Sequence, residues 1–318
     1  MNLIHPGPEE GMLCLRAVRT AVERPDGIPP AARAMMTAAK QVLLNLDADL
    51  DTLPTITPGE LAAGLRTPGL GEQVVQAMLL GVLADGDPVP ECEARVEAFA
   101  KAVGVDIPGL HTVRLLCEHH MALFRLDFLR RSNFRDMIRD QYRHHGGVAG
   151  VVHGIMGMRG LREDPELARK YQPLRDLSDD TLGGAFVQFY QANGFSLPGQ
   201  RGGFPEGAVY HDMTHVLSGY GATPEGETMV GGFTAGYKRV NPFYVLLLPT
   251  LTFSTGINMT PSNQPRVTAT LAQPGVAEGF IKAVERGGRC NTDLSDNWDY
   301  WPLVALPLAE ARARLNID

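Results

Sequence analysis

Residues 210–227 read YHDMTHVLSGYGATPEGE, and this stretch decides how the C-terminal part of the chain folds. With a rotation of about 100° per residue on an α-helix, His215 lies about 40° and Asp212 about 100° around from His211. The three side chains therefore share one face. Gly219 and Gly221 break the helix, and Thr223-Pro224 restarts one, with threonine as N-cap and proline at the first position. Glu225 and Glu227 fall in the new first turn, which a helical hairpin folds back toward the histidines. Two imidazoles and one or two carboxylates make a mixed nitrogen–oxygen site that suits zinc, iron, manganese or cobalt. One ion can meet His211, Asp212 and His215 together, or two of them with the third behind. Glu227 adds a further ligand, with Glu225 as its local rival. At most four protein ligands leave a position open to water or substrate, as catalysis requires.

Working outward, the same helical grammar recurs. Residues 182–193 read as a helix capped by Asp179 or Asp180 and stopped by Gly194. A Gly/Pro-rich loop over 196–207 leads into the metal helix. On the N-terminal side, helices are expected over 12–23, 31–46, 74–84 and 90–103, and one long helix over 110–144 that turns basic through Arg125, Arg130, Arg131, Arg135, Arg139 and Arg143. Alternating strand patterns are few, and there is no internal repeat. The expected fold class is all-α, with a small helical bundle over 1–124 followed by a larger helical metal-binding domain over 125–318. Gly146-Gly147 is the expected hinge.

Composition narrows the function. Hydrophobic residues make up 44% of the 318 positions and charged ones 20%, which is ordinary for a globular chain. The formal net charge of −7 is a poor match to nucleic acid, which needs a basic face. Cys14, Cys92, Cys117 and Cys290 are scattered with no CxxC pair, so neither a cysteine-rich zinc module nor a disulfide framework is expected. The first residues show no basic-then-apolar leader pattern, and a cytoplasmic protein is expected, with peripheral contact to the inner face of the membrane. The most apolar run, FYVLLLPTLTF at 243–253, is shorter than the roughly 20 residues of a spanning helix and is interrupted by Pro249. It reads as a buried segment or as the wall of a lipid pocket, together with IMGM at 155–158.

HDxxH followed by eleven residues and Glu resembles the signature of the family of the fourth Coq protein of ubiquinone biosynthesis. The likeness extends to Asp180-Thr181-Leu182-Gly183 with Phe189-Tyr190, to the Pro/Gly approach over 198–205, and to Gly226-Glu227. It continues in Asp293-Leu294, Trp298-Asp299-Tyr300-Trp301-Pro302, Pro307-Leu308, Arg312 and Leu315. It covers roughly residues 125–318. It implies an all-helical fold, a metal ion held by His211, Asp212, His215 and Glu227, and a link to prenylated quinone precursors. Members of that family are described either as organisers of a biosynthetic complex that bind a polyprenyl tail or as the enzyme that oxidatively removes the ring carboxylate. This chain departs from the pattern in Gly207-Ala208-Val209-Tyr210, where the family is more basic and aromatic, and in its extra N-terminal domain. Within that domain, residues 84–93 (ADGDPVPECE) resemble the acidic inter-helix turn of tellurite-resistance TerB-like domains. The likeness implies an interaction module, with Asp85, Asp87 and Glu91 as a weak metal site or simply acids at a helix start.

The expectation is a protein that uses one divalent ion, zinc first, to decarboxylate or oxidise a small aromatic or prenylated quinone precursor. Tyr210 and Asp299 are expected behind the ligands. The alternatives are a non-catalytic prenyl-lipid scaffold that organises biosynthetic enzymes, and an enzyme of a specialised pathway on the same fold. An oligomer is compatible with both. His111, His119, His120, His144, His145 and His153 are expected at exposed or interfacial positions, because adjacent histidines on a helix diverge by about 100°. No GxSxG or phosphate-loop motif is present.

Overall fold

Twenty-three prolines would be a poor omen for a helical chain if they fell inside helices. They mostly do not. A computed structural model describes residues 3–86, 89–132, 163–204, 206–259, 266–295 and 298–318, with residues 139, 142, 147–149, 152 and 156 between them. Among the described residues there are fourteen α-helices and no strand, and eight of the helices begin on proline. Proline at the first position lacks an N–H that would have no partner there, and its φ is already helical. The helices are α1 (Pro8–Val22), α2 (Pro30–Val42), α3 (Pro58–Gly64), α4 (Leu70–Leu83), α5 (Pro90–Ala102), α6 (Pro108–Cys117) and α7 (Met121–Arg131). They continue as α8 (Pro165–Tyr171), α9 (Leu182–Ala192), α10 (Glu206–Ser218), α11 (Pro224–Tyr237), α12 (Pro242–Pro249), α13 (Val276–Gly288) and α14 (Leu308–Arg314). The all-α expectation holds. No described helix is long and apolar enough to cross a membrane.

The larger apolar core is built around α4, whose Val75, Met78, Leu79 and Leu83 are wholly buried, with Val96 and Phe99 of α5 against it. The same core takes in Phe243, Tyr244, Leu246, Leu247 and Leu251 from the run at 243–253, and Val276, Phe280 and Val284 of α13. It therefore draws residues from both expected domains, 1–124 and 125–318. The apolar run is core: α12 passes into a π-helical turn, Thr250–Thr255, that closes at Gly256 with φ 73°. Asp85, one of the TerB-like acids, has both carboxylate oxygens occupied. They accept the backbone N–H groups of Ala31 and Ala32 at 2.7 and 2.8 Å and so cap α2. Asp87 lies outside the described residues.

The smaller core gathers Tyr171, Phe186, Tyr190, Val209, Met213, Leu217, Phe233, Leu294 and Tyr300 around α9 and α10. The C-terminal segment docks across the start of α9 through Leu182 N–H to Leu306 O (2.9 Å), Gly183 N–H to Val304 O (2.8 Å) and Leu308 N–H to Asp180 O (2.7 Å).

Three expectations need correction. The long helix over 110–144 is broken between α6 and α7. His119 takes the left-handed conformation (φ 57°), while His120 N–H bonds Leu115 O and His119 N–H bonds Leu116 O, a C-terminal closure that usually carries glycine. The cap of α9 is Thr181, which accepts from Gly184 N–H at 3.1 Å; Asp179 and Asp180 stand too early to reach the first turn. The helix expected over 31–46 ends at Val42. Most of the hinge at Gly146-Gly147 and of 155–158 falls outside the described residues.

The α11–α13 pair, which contributes to both cores, is held at backbone distance. α13 buries Val276, Phe280, Ala283, Val284 and Gly287 along one face, and packs against α11 and α2. A side chain on Gly287 would overlap the Phe233 carbonyl, and one on Gly236 would overlap the Val284 carbonyl. Gly287→Ala is therefore expected to cost about 1–3 kcal/mol, read as a lower urea midpoint. Gly288→Ala, whose new methyl group meets open space, is expected to be neutral or slightly stabilising. Equal midpoints for the two variants would contradict this close approach.

Candidate metal centre

α10 carries His211 and His215 one turn apart, and α11 returns at once after the reversal at residues 219–223. Gly219, at φ 79°, ends α10 in a conformation that costs glycine little. Thr223 caps α11 by accepting from Gly226 N–H at 3.2 Å, as the sequence predicts. Glu227 is thereby aimed back at α10. Its Oε2 lies 3.1 Å from His211 Nε2 and its Oε1 lies 3.3 Å from His215 Nε2, while the two Nε2 atoms are 3.1 Å apart. Among the described residues these three form the one group of three metal-ligating side chains with mutually close ligand atoms. Glu225, two residues earlier, points about 200° away around the helix and is not part of it.

Asp212 stands beside the three rather than among them. It is buried, and its Oδ2 accepts the hydroxyl of Tyr190 on α9. Taking this carboxyl out of water pushes its pKa above the ordinary range, against the pull of His211 and His215. Burial, with Asp212 adding to it, also raises the Tyr190 phenol, which keeps its proton and donates it. Of the residues expected behind the ligands, Tyr210 packs edge-on to Tyr300 at 5.8 Å, and Asp299 accepts from Trp301 N–H in its own turn.

The supports that sequence reasoning missed come from elsewhere. His215 is buried and its Nδ1 lies 3.0 Å from the Tyr220 carbonyl. A carbonyl only accepts, so Nδ1 carries the proton and Nε2 presents a lone pair to the site. Phe189 stacks on the imidazole at 5.1 Å with a 22° tilt. At the end of α10, Gly219 N–H bonds His215 O, and the next three carbonyls take guanidinium donors. Arg312 donates to Val216 O (3.0 Å) and Leu217 O (2.8 Å), and Arg286 donates to Ser218 O (2.6 Å). All four terminal carbonyls thus have partners, two of the donors being cations suited to a helix C-terminus. The Phe189-Tyr190 pair and Arg312 were visible beforehand as parts of a motif; the partners they meet were not.

The donor set fits a first-row divalent ion. Ligand atoms around a tetrahedral ion with bonds of about 2.0–2.1 Å sit about 3.3 Å from one another, close to the separations found here. Two imidazole lone pairs and a carboxylate pointed at one spot need a positive charge between them, either an ion or a proton. For the proton, partial desolvation of the ring works against a charged His211, but the Glu227 carboxylate outweighs it and raises the His211 pKa to about 9. Glu227 is likewise disfavoured by burial, yet the charged His211 beside it holds it well below the ordinary carboxylate range. About half of the His211 side chain is solvent-exposed, at 49%, whereas that of His215 is 1% exposed, so the site opens on the His211 side. His111, His119 and His120 are exposed, as expected. His144, His145 and His153 lie outside the described residues.

Comparison with protein-family models, curated proteins and solved structures finds no match. The likenesses to the fourth Coq family and to TerB-like domains rest on the quoted motifs.

Because His211 keeps its proton up to about pH 9, an ion must displace it. The raised pKa stabilises the metal-free fold fully below the ordinary value near 6.5, and that contribution is lost as the pH rises through about 9. Zinc titrated at pH 7 is expected to release about one proton per ion, measured by calorimetry in buffers of different ionisation enthalpy. Its affinity is expected to rise about tenfold per pH unit and to level near pH 9. Binding without proton release at pH 7 would contradict the protonated His211.

Proposed function

We propose that this chain is a metal-dependent enzyme whose His211–His215–Glu227 centre holds one divalent ion, zinc first, and acts on a small aromatic ring bearing a carboxylate or hydroxyl. The observation that supports the metal is the convergence of both Nε2 atoms and the Glu227 carboxylate within 3.3 Å of one another, with the His215 tautomer set by Tyr220. The identity of the ring as a prenylated quinone precursor comes from the resemblance of residues 125–318 to the fourth Coq family.

A divalent ion held there supplies Lewis acidity toward a carboxylate or phenolate oxygen. The chain supplies the rest. His215 is immobilised by burial, by Phe189 and by Tyr220, and forms the fixed back of the site. His211 forms the exposed front, where a small ligand approaches. Tyr190 donates a buried hydrogen bond to Asp212 beside these three side chains. Half-buried Phe189 gives an apolar wall against which an aromatic ring can lie. The enzyme reading is preferred to the lipid scaffold because most of the run at 243–253 is spent on the larger core.

Elemental analysis of protein purified without chelators or nickel resin is expected to find about one equivalent of metal. A His211→Ala/His215→Ala variant is expected to hold none. Release of carbon dioxide from a panel of carboxylated hydroxy-aromatic acids, with and without a prenyl tail, is expected for the wild type and absent from the double variant. Turnover that survives in the metal-free variant overturns the proposal, as does a wild type that takes up no metal after reconstitution.

A further inference from the structure

We infer that Arg286, seventy-one residues from His215 in sequence, is a positioning residue for the metal centre: it holds the reversal between α10 and α11 so that the Tyr220 carbonyl stays on His215 Nδ1. The inference rests on the metal reading above and adds to it.

Tyr220 is the first residue after Gly219, whose positive φ makes the backbone there a swivel rather than a continuation of α10. The Tyr220 carbonyl makes the hydrogen bond that sets the proton of the buried imidazole on Nδ1 and leaves Nε2 free for an ion. Arg286 grips this short segment twice. Its Nη1 donates to Ser218 O at 2.6 Å, on the near side of Gly219, and its guanidinium lies 5.6 Å from the centre of the Tyr220 ring on the far side. The guanidinium is itself fixed: it lies 5.4 Å from the Phe233 ring, and its Nε donates to Asp318 at 2.8 Å (backbone carbonyl) and 3.1 Å (carboxylate). It is 19% exposed, which strengthens these charge-assisted contacts relative to open surface. Arg312 secures only the carbonyls of Val216 and Leu217, inside α10. Arg286 is the contact that spans the swivel. Arg286 reaches this place because Gly236 and Gly287 let α11 and α13 meet at backbone distance. Loss of a group that orients a ligating histidine typically weakens metal binding about 10–100-fold.

Cobalt(II) titrated into the full chain, followed by its visible ligand-field absorption, tests this. The wild type is expected to bind one ion with a defined band. Arg286→Met keeps the apolar stem and removes the donors, and is expected to raise the cobalt Kd about 10–100-fold and to shift the band. Lys282→Met, one turn earlier on α13 and paired with Glu278 at the surface, is expected to match the wild type. A folded Arg286→Met protein with wild-type Kd and band overturns the inference and leaves the metal centre standing. A wild type that binds no cobalt overturns both. If Arg286→Met does not fold, Tyr220→Leu carries the test by removing the ring beneath the guanidinium, and an unchanged Kd there overturns the inference equally.

Discussion

The reversal at residues 219–223 is the constraint on which the site depends. α10 alone presents two imidazoles on one face. Without a return within a few residues, the next carboxylates would lie far along the chain. Gly219 allows the turn, Thr223 caps the returning helix, and Glu227 in its first turn lands with one oxygen near each Nε2 atom. The same turn supplies the Tyr220 carbonyl to His215. Ligand and support therefore arise from one local structure, and any force that opens the turn removes both together.

A turn of this kind is soft unless packing holds it. Here the packing comes from the helices behind it. Glycines on α11 and α13 let the two backbones touch, and that approach brings Arg286 under the reversal while Phe233 and Tyr237 fill the smaller core. Arg312, from the C-terminal helix, closes the remaining carbonyls of α10. α9 adds Phe189 against His215 and Tyr190 against Asp212. Four separate stretches of chain thus converge on two turns of helix. Their convergence gives one histidine almost no freedom while the other stays open.

Much of this was legible from the residues. Proline at the starts of α2, α5 and α11, glycine after α5, α9 and α10 and a threonine cap before Pro224 were legible because capping chemistry is local, whereas α3, α8, α12, α13 and α14 carried no such expectation. The spacing of His211, His215 and Glu227 was legible for the same reason. Asp212 shows the limit. Its angle on the helix admits it to the ligand face, but the Tyr190 hydroxyl, far away in sequence, engages one of its oxygens. The break at His119 was hidden because histidine there adopts a conformation that sequence reading assigns to glycine. Thr181 rather than Asp179 or Asp180 caps α9 because the helix starts where the C-terminal segment docks.

The sequence by itself determined the helical class, the order of most helices, and the pairing of two histidines with a glutamate across a glycine turn. These follow from torsional preferences, caps and a fixed angle per residue, all of which act over a few positions. Only the tertiary structure decided that residues 243–253 complete the core of the N-terminal helices, that Asp212 faces a tyrosine, and that arginines from α13 and α14 secure the end of α10. Those outcomes depend on which surfaces meet, and no periodicity within a short window records the partner that a buried side chain finds many residues away.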